Sequence, residues 1–225
     1  MDKDTLEMAC RNYGYGRWDA PYWFIGPQQG MGRHENNDLR LRIRAWQDLG
    51  KRELNDCREF HGRIGEMRWH FKETVDLQPC WKRLMLLMMT FQGCTVVDKD
   101  RLRSYQRNRW GALCEKAGET CVIELSGLAA RSLEEGQDLG QYLPQRLGVI
   151  CSRIRDHRPK LVVVYGRTQI AGVTFPPEPR SFLRCGSTIL AFARHPNARA
   201  HEGDRYWIEL GRNLREFARA STAIV

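Results

Sequence analysis

Two apolar runs of this 225-residue chain each stop abruptly in a short polar loop whose side chains are suited to chemistry. Residues 22–25 lead into Gly26-Pro27-Gln28-Gln29-Gly30, and residues 189–193 lead into Arg194-His195-Pro196-Asn197. An imidazole in such a loop can donate a hydrogen bond to a developing anion, and a glutamine carbonyl can orient a water molecule. In an open parallel sheet, loops of this kind meet at the carboxyl edge, where ligands bind.

The elements that must position these loops are strands and amphipathic helices in alternation. Strand-like runs cover residues 22–25, 121–125, 161–165 and 188–193. The run Leu161-Val162-Val163-Val164 is continuously apolar, which is typical of a strand buried on both faces. Apolar residues recur at helical spacing in the intervals, and the stretch 81–91 predicts a buried helix. This alternation predicts an α/β fold with right-handed crossovers, in one domain over residues 1–225.

The charge of the chain favours a polyanionic partner. It has 36 Lys and Arg against 27 Asp and Glu, a formal net charge of +9, and such a balance suits nucleic acid. The longest apolar run, residues 84–89, is far shorter than the roughly 20 residues that span a bilayer. No basic segment followed by an apolar stretch opens the chain, so we expect no signal peptide, no membrane and a cytoplasmic location.

Eight cysteines raise the question of a metal site or of disulfides. No Cys-x-x-Cys pair is present, and Cys80 and Cys94, or Cys114 and Cys121, are spaced too widely for a zinc knuckle. Free thiols in a reducing compartment are the default for such a set. We therefore expect neither a metal nor a cofactor.

The turn from Gly26 to Gly30 and the pair His195-Pro196 resemble the two loop motifs of the uracil-DNA glycosylase superfamily. The resemblance implies a three-layer α/β/α sandwich with a central four-stranded parallel sheet of order 2-1-3-4. It also implies a glycosylase, expected as a monomer, that flips a pyrimidine out of double-stranded DNA and hydrolyses its N-glycosidic bond to leave an abasic site. No lysine lies in either loop, so a Schiff-base lyase step is not expected.

The resemblance assigns the first loop to the water that attacks the sugar C1′. Members of the superfamily use a carboxylate or an amide there, and the candidates here are Gln28 and Gln29. A glutamine orients water but cannot accept its proton. Glu35 and Asn36 are further catalytic candidates, of which Glu35 would supply a carboxylate. The same residues also fit a helix start with Asn37 as its cap.

The second loop is implied to act on the leaving base. His195 would donate a hydrogen bond to the pyrimidine O2 and stabilise its negative charge. Arg199 lies where relatives push a wedge into the duplex, so it could fill the gap left by the flipped nucleotide. Further DNA contacts are expected from Arg33, Arg103, Arg107, Arg194 and Asn197. The tract 100–109, which includes two of these arginines, also fits an ordinary solvated face.

The base itself is expected to contact Gly26, Pro27, Gly30, Trp46, Glu124 and Ser126. The uracil enzymes read the base edge with an asparagine where Glu124 aligns. A carboxylate accepts from an exocyclic amine, which favours cytosine N4 over uracil O4, although an arginine-paired glutamate is the simpler alternative. The uracil enzymes place a tyrosine in the first loop, where it rejects thymine. Gly30 stands near that position here, so the C5 side of the base should be open. Trp46 is a candidate for stacking on the base.

These features predict excision of a C5-modified cytosine, as in hypermodified phage DNA, and hence a role in antiviral defence. Two alternatives stay open on the sequence. One is a repair glycosylase for uracil or other deaminated bases, and the other is a non-catalytic reader of modified DNA.

Overall fold

A computed structural model describes residues 2–30, 35–129, 139–166, 168–170, 173–175, 181–198 and 203–220, and for 35–38, 139–141, 168–170 and 173–175 it describes the backbone alone. The strands are β1 (Gly14–Gly16), β2 (Tyr22–Gly26), β3 (Leu54–Asn55), β4 (Thr120–Glu124), β5 (Leu161–Tyr165), β6 (Thr168–Ile170), β7 (Val173–Phe175), β8 (Phe182–Cys185) and β9 (Thr188–Ala193). Within these residues, seven strands form one sheet in the order β3-β1-β4-β2-β5-β9-β8, and β6 pairs with β7 separately.

The helices are α1 (Lys3–Arg11), α2 (Glu35–Asp48), α3 (Cys57–Arg63), α4 (Pro79–Gln92), α5 (Lys99–Asn108), α6 (Leu139–His157) and α7 (Gly203–Ala220), with a 3-10 turn at Met67–Trp69. Several begin at side-chain caps that accept a backbone N–H of the first turn. Asp2, Asp56, Gln78 and Asp98 act in this way. No helix in the described part of the chain has both the length and the apolar character needed to cross a membrane.

The α/β class predicted from the sequence is confirmed, and the four predicted strands correspond to β2, β4, β5 and β9. These four are neighbours and pair in parallel, β4 with β2, β2 with β5 and β5 with β9. The expected sheet of four parallel strands is nevertheless too small. β1 and β8 extend it in antiparallel pairs, and β3 adds a further edge, so the sheet is mixed. These strands are short or solvent-exposed, so they lack the continuous apolar run that reveals a buried strand.

Successive residues of the parallel strands point to opposite faces of the sheet, and each face has its own core. Phe24, Val122, Val163 and Ala191 pack in a cluster with side chains of α4 and α7. Trp23, Ile123, Val162 and Phe192 pack in a second cluster with Leu143 and Ile150 of α6. Helix α4 is buried along most of its length, as predicted. Helices therefore cover both faces, and the polar loops follow the carboxyl ends of β2 and β9.

A buried arginine fastens the carboxyl end of β4. Arg146 of α6 is 1% exposed, and its guanidinium stacks 4.2 Å from the ring centre of Tyr13. It donates hydrogen bonds of 2.7–2.9 Å to the carbonyls of Ala9, Asn12, Glu124 and Leu125. The four carbonyls share this one buried donor, so Arg146 fixes the position at which Glu124 leaves the sheet.

Candidate functional site

The carboxyl ends of β2, β5 and β9 converge on one tyrosine. Tyr165, the last residue of β5, lies so close to Gly26 that a Cβ there would come within 2.3 Å of the phenol oxygen. The ring of Tyr165 also meets the imidazole of His195 edge to face, with centroids 5.8 Å apart. Gly166, at φ +85°, allows the backbone to pass beside His195 and Pro27. The two polar loops therefore lie side by side, with Tyr165 between them.

Glu124 joins this group from β4, where it pairs with Gly26 in the sheet. Its side chain is 7% exposed, and Oε2 has no hydrogen-bond partner among the described residues. Burial raises the pKa of Glu124 to about 8, and the nearby Arg146 offsets only part of this effect. The carboxyl group is therefore mostly protonated at pH 7, and in that form it both donates and accepts hydrogen bonds.

Three neutral side chains lie near Glu124. The phenol of Tyr165 hydrogen-bonds to Cys80 of α4, and burial raises the pKa of both groups. Tyr15 is a further neighbour whose pKa is raised by burial. All three stay neutral at physiological pH, so among these four groups only the carboxyl of Glu124 has a pKa near neutrality.

The second loop presents His195 in one tautomer. Its Nδ1 accepts a hydrogen bond from the backbone N–H of Asn197 at 3.1 Å, so the neutral ring carries its proton on Nε2. Burial lowers the pKa of His195 below its ordinary value of 6.5. Arg83 of α4 ties the loop down, because its guanidinium donates to the carbonyl of Pro196 and lies 3.7 Å from Asp204. The loop thus offers a neutral N–H donor in a fixed orientation.

The first loop uses one of its two glutamines for structure. Oε1 of Gln29 accepts hydrogen bonds from Arg42 at 2.8 Å and from the hydroxyl of Tyr15 at 3.2 Å. This oxygen is the atom that would orient a water molecule, so Gln29 is not suited to that task. Gln28 is half-buried beside it. Glu35 and Asn36 open α2, and their side chains lie outside the described residues.

One expected base contact is wrong in this structure, a second has its hydroxyl proton engaged elsewhere, and a third is compatible with the structure. Trp46 is 0% exposed and donates its indole N–H to the carbonyl of Arg52 at 2.8 Å, so it is a core residue that cannot stack on a ligand. The hydroxyl of Ser126 donates its proton to the carbonyl of Leu128 at 2.9 Å and accepts from the backbone N–H of Leu128 at 3.1 Å. At Gly30, no described atom lies within 4 Å of a Cβ position, so there is room for a substituent.

The expected DNA contacts divide into three groups. Arg194 and Asn197 are exposed on the second loop. Arg103 and Arg107 of α5 donate instead to backbone carbonyls of residues 72–75, so the structure gives them a local role in fastening that segment. Arg33 and Arg199 lie outside the described residues.

Several residues of the site were missed from the sequence. Tyr165 and Arg83 are not part of a recognisable loop motif, and only the position of Tyr165 at the end of a predicted strand marks it. A buried group of Cys57, His61 and His70 was missed as well, because His70 lies outside the helix that carries the other two. The spacing of Cys57 and His61, one helical turn apart, was the available signal.

No protein-family model matches the chain, and the search of curated proteins finds no match either. The chemistry of the site therefore rests on its own geometry.

Proposed function

We propose that the chain is a monofunctional DNA glycosylase that flips a pyrimidine out of double-stranded DNA and hydrolyses its N-glycosidic bond. The observation that supports this proposal is the convergence of a neutral imidazole with a buried carboxyl oxygen that has no hydrogen-bond partner among the described residues. His195 and Glu124 are brought together by β9 and β4, on either side of Tyr165 and Gly26. An N–H donor and a carboxyl group that both donates and accepts suit the two polar edges of a pyrimidine.

His195 would act on the leaving base. When the bond from N1 to C1′ breaks, its electron pair remains on the base, and the negative charge spreads to O2. The Nε2–H of a neutral His195 would donate to that oxygen. Removing one donor of this kind typically costs about 10²–10³ in kcat. The sugar cation that forms is oxocarbenium-like, and water adds to C1′ while a water proton passes to solvent or to the base.

The attacking water would be held by Gln28 or Glu35. Gln28 remains a candidate because the carbonyl oxygen of Gln29 is already occupied. Since the sugar carries positive charge at the transition state, weak activation of the water is sufficient, and an amide in the first loop is compatible with hydrolysis.

Glu124 would read the Watson–Crick edge of the base. A protonated carboxyl donates to cytosine N3 and accepts from the N4 amine, which is a two-point match. The space at Gly30 leaves room for a C5 substituent, so we infer that the substrate is a C5-modified cytosine such as occurs in hypermodified phage DNA. An enzyme with this preference would serve in defence against phages.

The protonation of Glu124 also favours a second candidate function. The same carboxyl group could donate to uracil O4 and accept from N3–H, because its protonated form offers one donor and one acceptor. A repair glycosylase for uracil or deaminated bases therefore competes with the modified-cytosine enzyme. The non-catalytic reader differs from both, because it predicts binding without base release.

The test is mass spectrometry of bases released from duplexes that contain uracil, a thymine mismatch, 5-hydroxymethylcytosine or its glucosylated form. Alkaline cleavage at abasic sites gives an independent readout. Release of a modified cytosine supports the first candidate, and release of uracil alone supports the second. Salt-sensitive binding with no release from any duplex would overturn the enzyme proposal in favour of the reader. His195→Ala should abolish release, whereas His157→Ala, at an exposed position on α6, should not.

A further inference from the structure

Three potential metal ligands come together beneath the first loop, outside the proposed base site. Cys57 opens α3, His61 follows one turn later on the same helix, and His70 comes just after the 3-10 turn at Met67–Trp69. Their exposed fractions are 0%, 6% and 1%. The candidate ligand atoms all lie within 4.8 Å of one another.

The two sulfur-to-nitrogen distances in this cluster match those of a tetrahedral zinc site. Sγ of Cys57 lies 3.5 Å from Nδ1 of His61 and 3.7 Å from Nε2 of His70. A zinc ion bound to sulfur at about 2.3 Å and to nitrogen at about 2.0–2.1 Å holds the two atoms roughly 3.6 Å apart at a tetrahedral angle. A metal can bind between these atoms once the His61 ring turns Nδ1 toward the sulfur and away from the carbonyl of Cys57, to which it now donates.

Hydrogen bonding alone leaves this cluster incomplete. Nδ1 of His61 donates to the carbonyl of Cys57 at 2.7 Å, so it is not free to accept the thiol proton. The thiol can still donate to Nε2 of His70. Nδ1 of the same ring is buried without a hydrogen bond in the described part of the chain. Backbone carbonyls of Gln106 and Arg107 face the His70 ring, and carbonyls are common outer partners of metal-bound histidine.

We propose that Cys57, His61 and His70 bind a zinc ion through one sulfur and two imidazole nitrogens. Three protein ligands leave a fourth position for water or another small ligand. Binding would release the Cys57 thiol proton to solvent, and His61 would move its ring proton from Nδ1 to Nε2. Metal binding requires the imidazoles to be neutral and the thiol to lose its proton.

The ion would stabilise the first loop through the aromatic contacts of His61. The ring of His61 lies 5.3 Å from that of Tyr15 and 5.2 Å from that of Trp81. The hydroxyl of Tyr15 in turn bonds Gln29. Metal binding would hold α3 and the segment at His70 together, and so fix the aromatic side chains on which the first loop rests.

The first test is the metal content of the full chain, produced in zinc-supplemented medium and freed of loosely bound ions with a mild chelator. We expect one zinc per chain by plasma mass spectrometry. The variants Cys57→Ser and His70→Gln should lose at least ten-fold in bound zinc. Cys121→Ser is the matched control, since Cys121 is equally buried but lies in the other core cluster, and it should retain the metal.

A second measurement does not depend on the folding of the variants. Cobalt(II) added to the metal-free wild-type chain should produce a thiolate-to-metal charge-transfer band and the visible bands of tetrahedral cobalt. Zinc should displace the cobalt and remove both. Wild-type protein with no stoichiometric zinc and no charge-transfer band would overturn the proposal, as would full zinc content in folded Cys57→Ser. None of these readouts depends on glycosylase activity.

Discussion

The imidazole of His195 accepts a hydrogen bond from the backbone N–H of Asn197, with 3.1 Å between nitrogen atoms. Because a backbone amide can only donate, this contact fixes Nδ1 as the acceptor and Nε2 as the protonated nitrogen. The ring rests edge to face on Tyr165, and Arg83 bonds the carbonyl that follows. The tautomer and the orientation of this one side chain are thus set by three separate elements of the fold.

Loss of the imidazole should therefore reduce the rate of base release rather than DNA binding. We expect His195→Ala to lower kcat by about 10²–10³, with KM changed by less than about threefold, since the donor would act mainly on the departing base. Single-turnover kinetics on the best substrate measure this effect. His157→Ala is the control. A loss confined to KM would contradict the role assigned to His195.

The pH dependence of that rate follows from the direction in which the His195 pKa moves. Burial lowers this pKa below 6.5, so the ring should stay neutral, and activity should persist, somewhat below the pH at which an exposed histidine charges. Protonation of Nδ1 at still lower pH would break the bond with Asn197 and stop the reaction. The same shift removes stability as the pH falls below about 6.5, because the unfolded chain binds the proton more readily. A rate that falls with a midpoint above 6.5 would argue against a buried His195.

Glu124 should make the protein less stable as the pH rises. Its folded pKa of about 8 lies above the ordinary 4.5, so between these values the native state retains a proton that the unfolded chain releases. Stability from this group is fully present below about pH 4.5 and is lost as the pH rises through 8. Glu124→Gln removes this dependence, with a relative gain at high pH of at most about 5 kcal/mol. Denaturant unfolding at pH 5 and pH 8 compares the two proteins.

The same substitution separates stability from recognition. A glutamine keeps one donor and one acceptor, so Glu124→Gln should still release base, whereas Glu124→Ala should lose most of its activity. If Glu124→Gln is inactive while folded, an ionised carboxylate rather than a protonated one must be the working form.

The strands that carry this site could be predicted because burial on both faces is a local property of the sequence. Leu161–Tyr165 is apolar at every position except its last, and such a run is typical of a strand buried on both faces. The Gly-Tyr-Gly strand at Gly14–Gly16 has no comparable signal. Its pairing with β4 depends on residues more than 100 positions away, so only the tertiary structure reveals it.

The side chains of the site were harder to predict than its strands. Helical spacing shows that Trp46 is on an apolar face but not whether that face meets the core or a ligand, and the core was the correct choice. The hydroxyl of Ser126 bonds the backbone N–H and carbonyl of Leu128 in its own turn. The convergence of Cys57 and His61 with His70 depends on how the chain between them folds, which the spacing alone does not specify.

Arg146 should be among the most important residues for stability. Replacing it with methionine leaves four buried carbonyls without the donor that they share, so we expect a loss of at least about 3 kcal/mol in the free energy of unfolding. Arg153→Met on the same helix is the control. Arg153 pairs with Glu53 near the surface, and its loss should cost less than about 1 kcal/mol. Equal effects in chemical denaturation would contradict the fastening role of Arg146.

A comparison of two glycines in the first loop tests whether Tyr165 is placed as the structure shows. A Cβ at Gly26 would meet the phenol oxygen of Tyr165 at 2.3 Å and its ring at 2.4 Å, so Gly26→Ala must displace the ring. We expect a cost of about 1–3 kcal/mol in stability and a reduced rate of base release, because the imidazole rests on that ring. Gly30→Ala, in the same loop, meets no described atom within 4 Å and should leave the stability unchanged within about 0.5 kcal/mol. Thermal unfolding of both variants decides the point: if Gly26→Ala is as stable as Gly30→Ala, the two loops do not share Tyr165 as their common support.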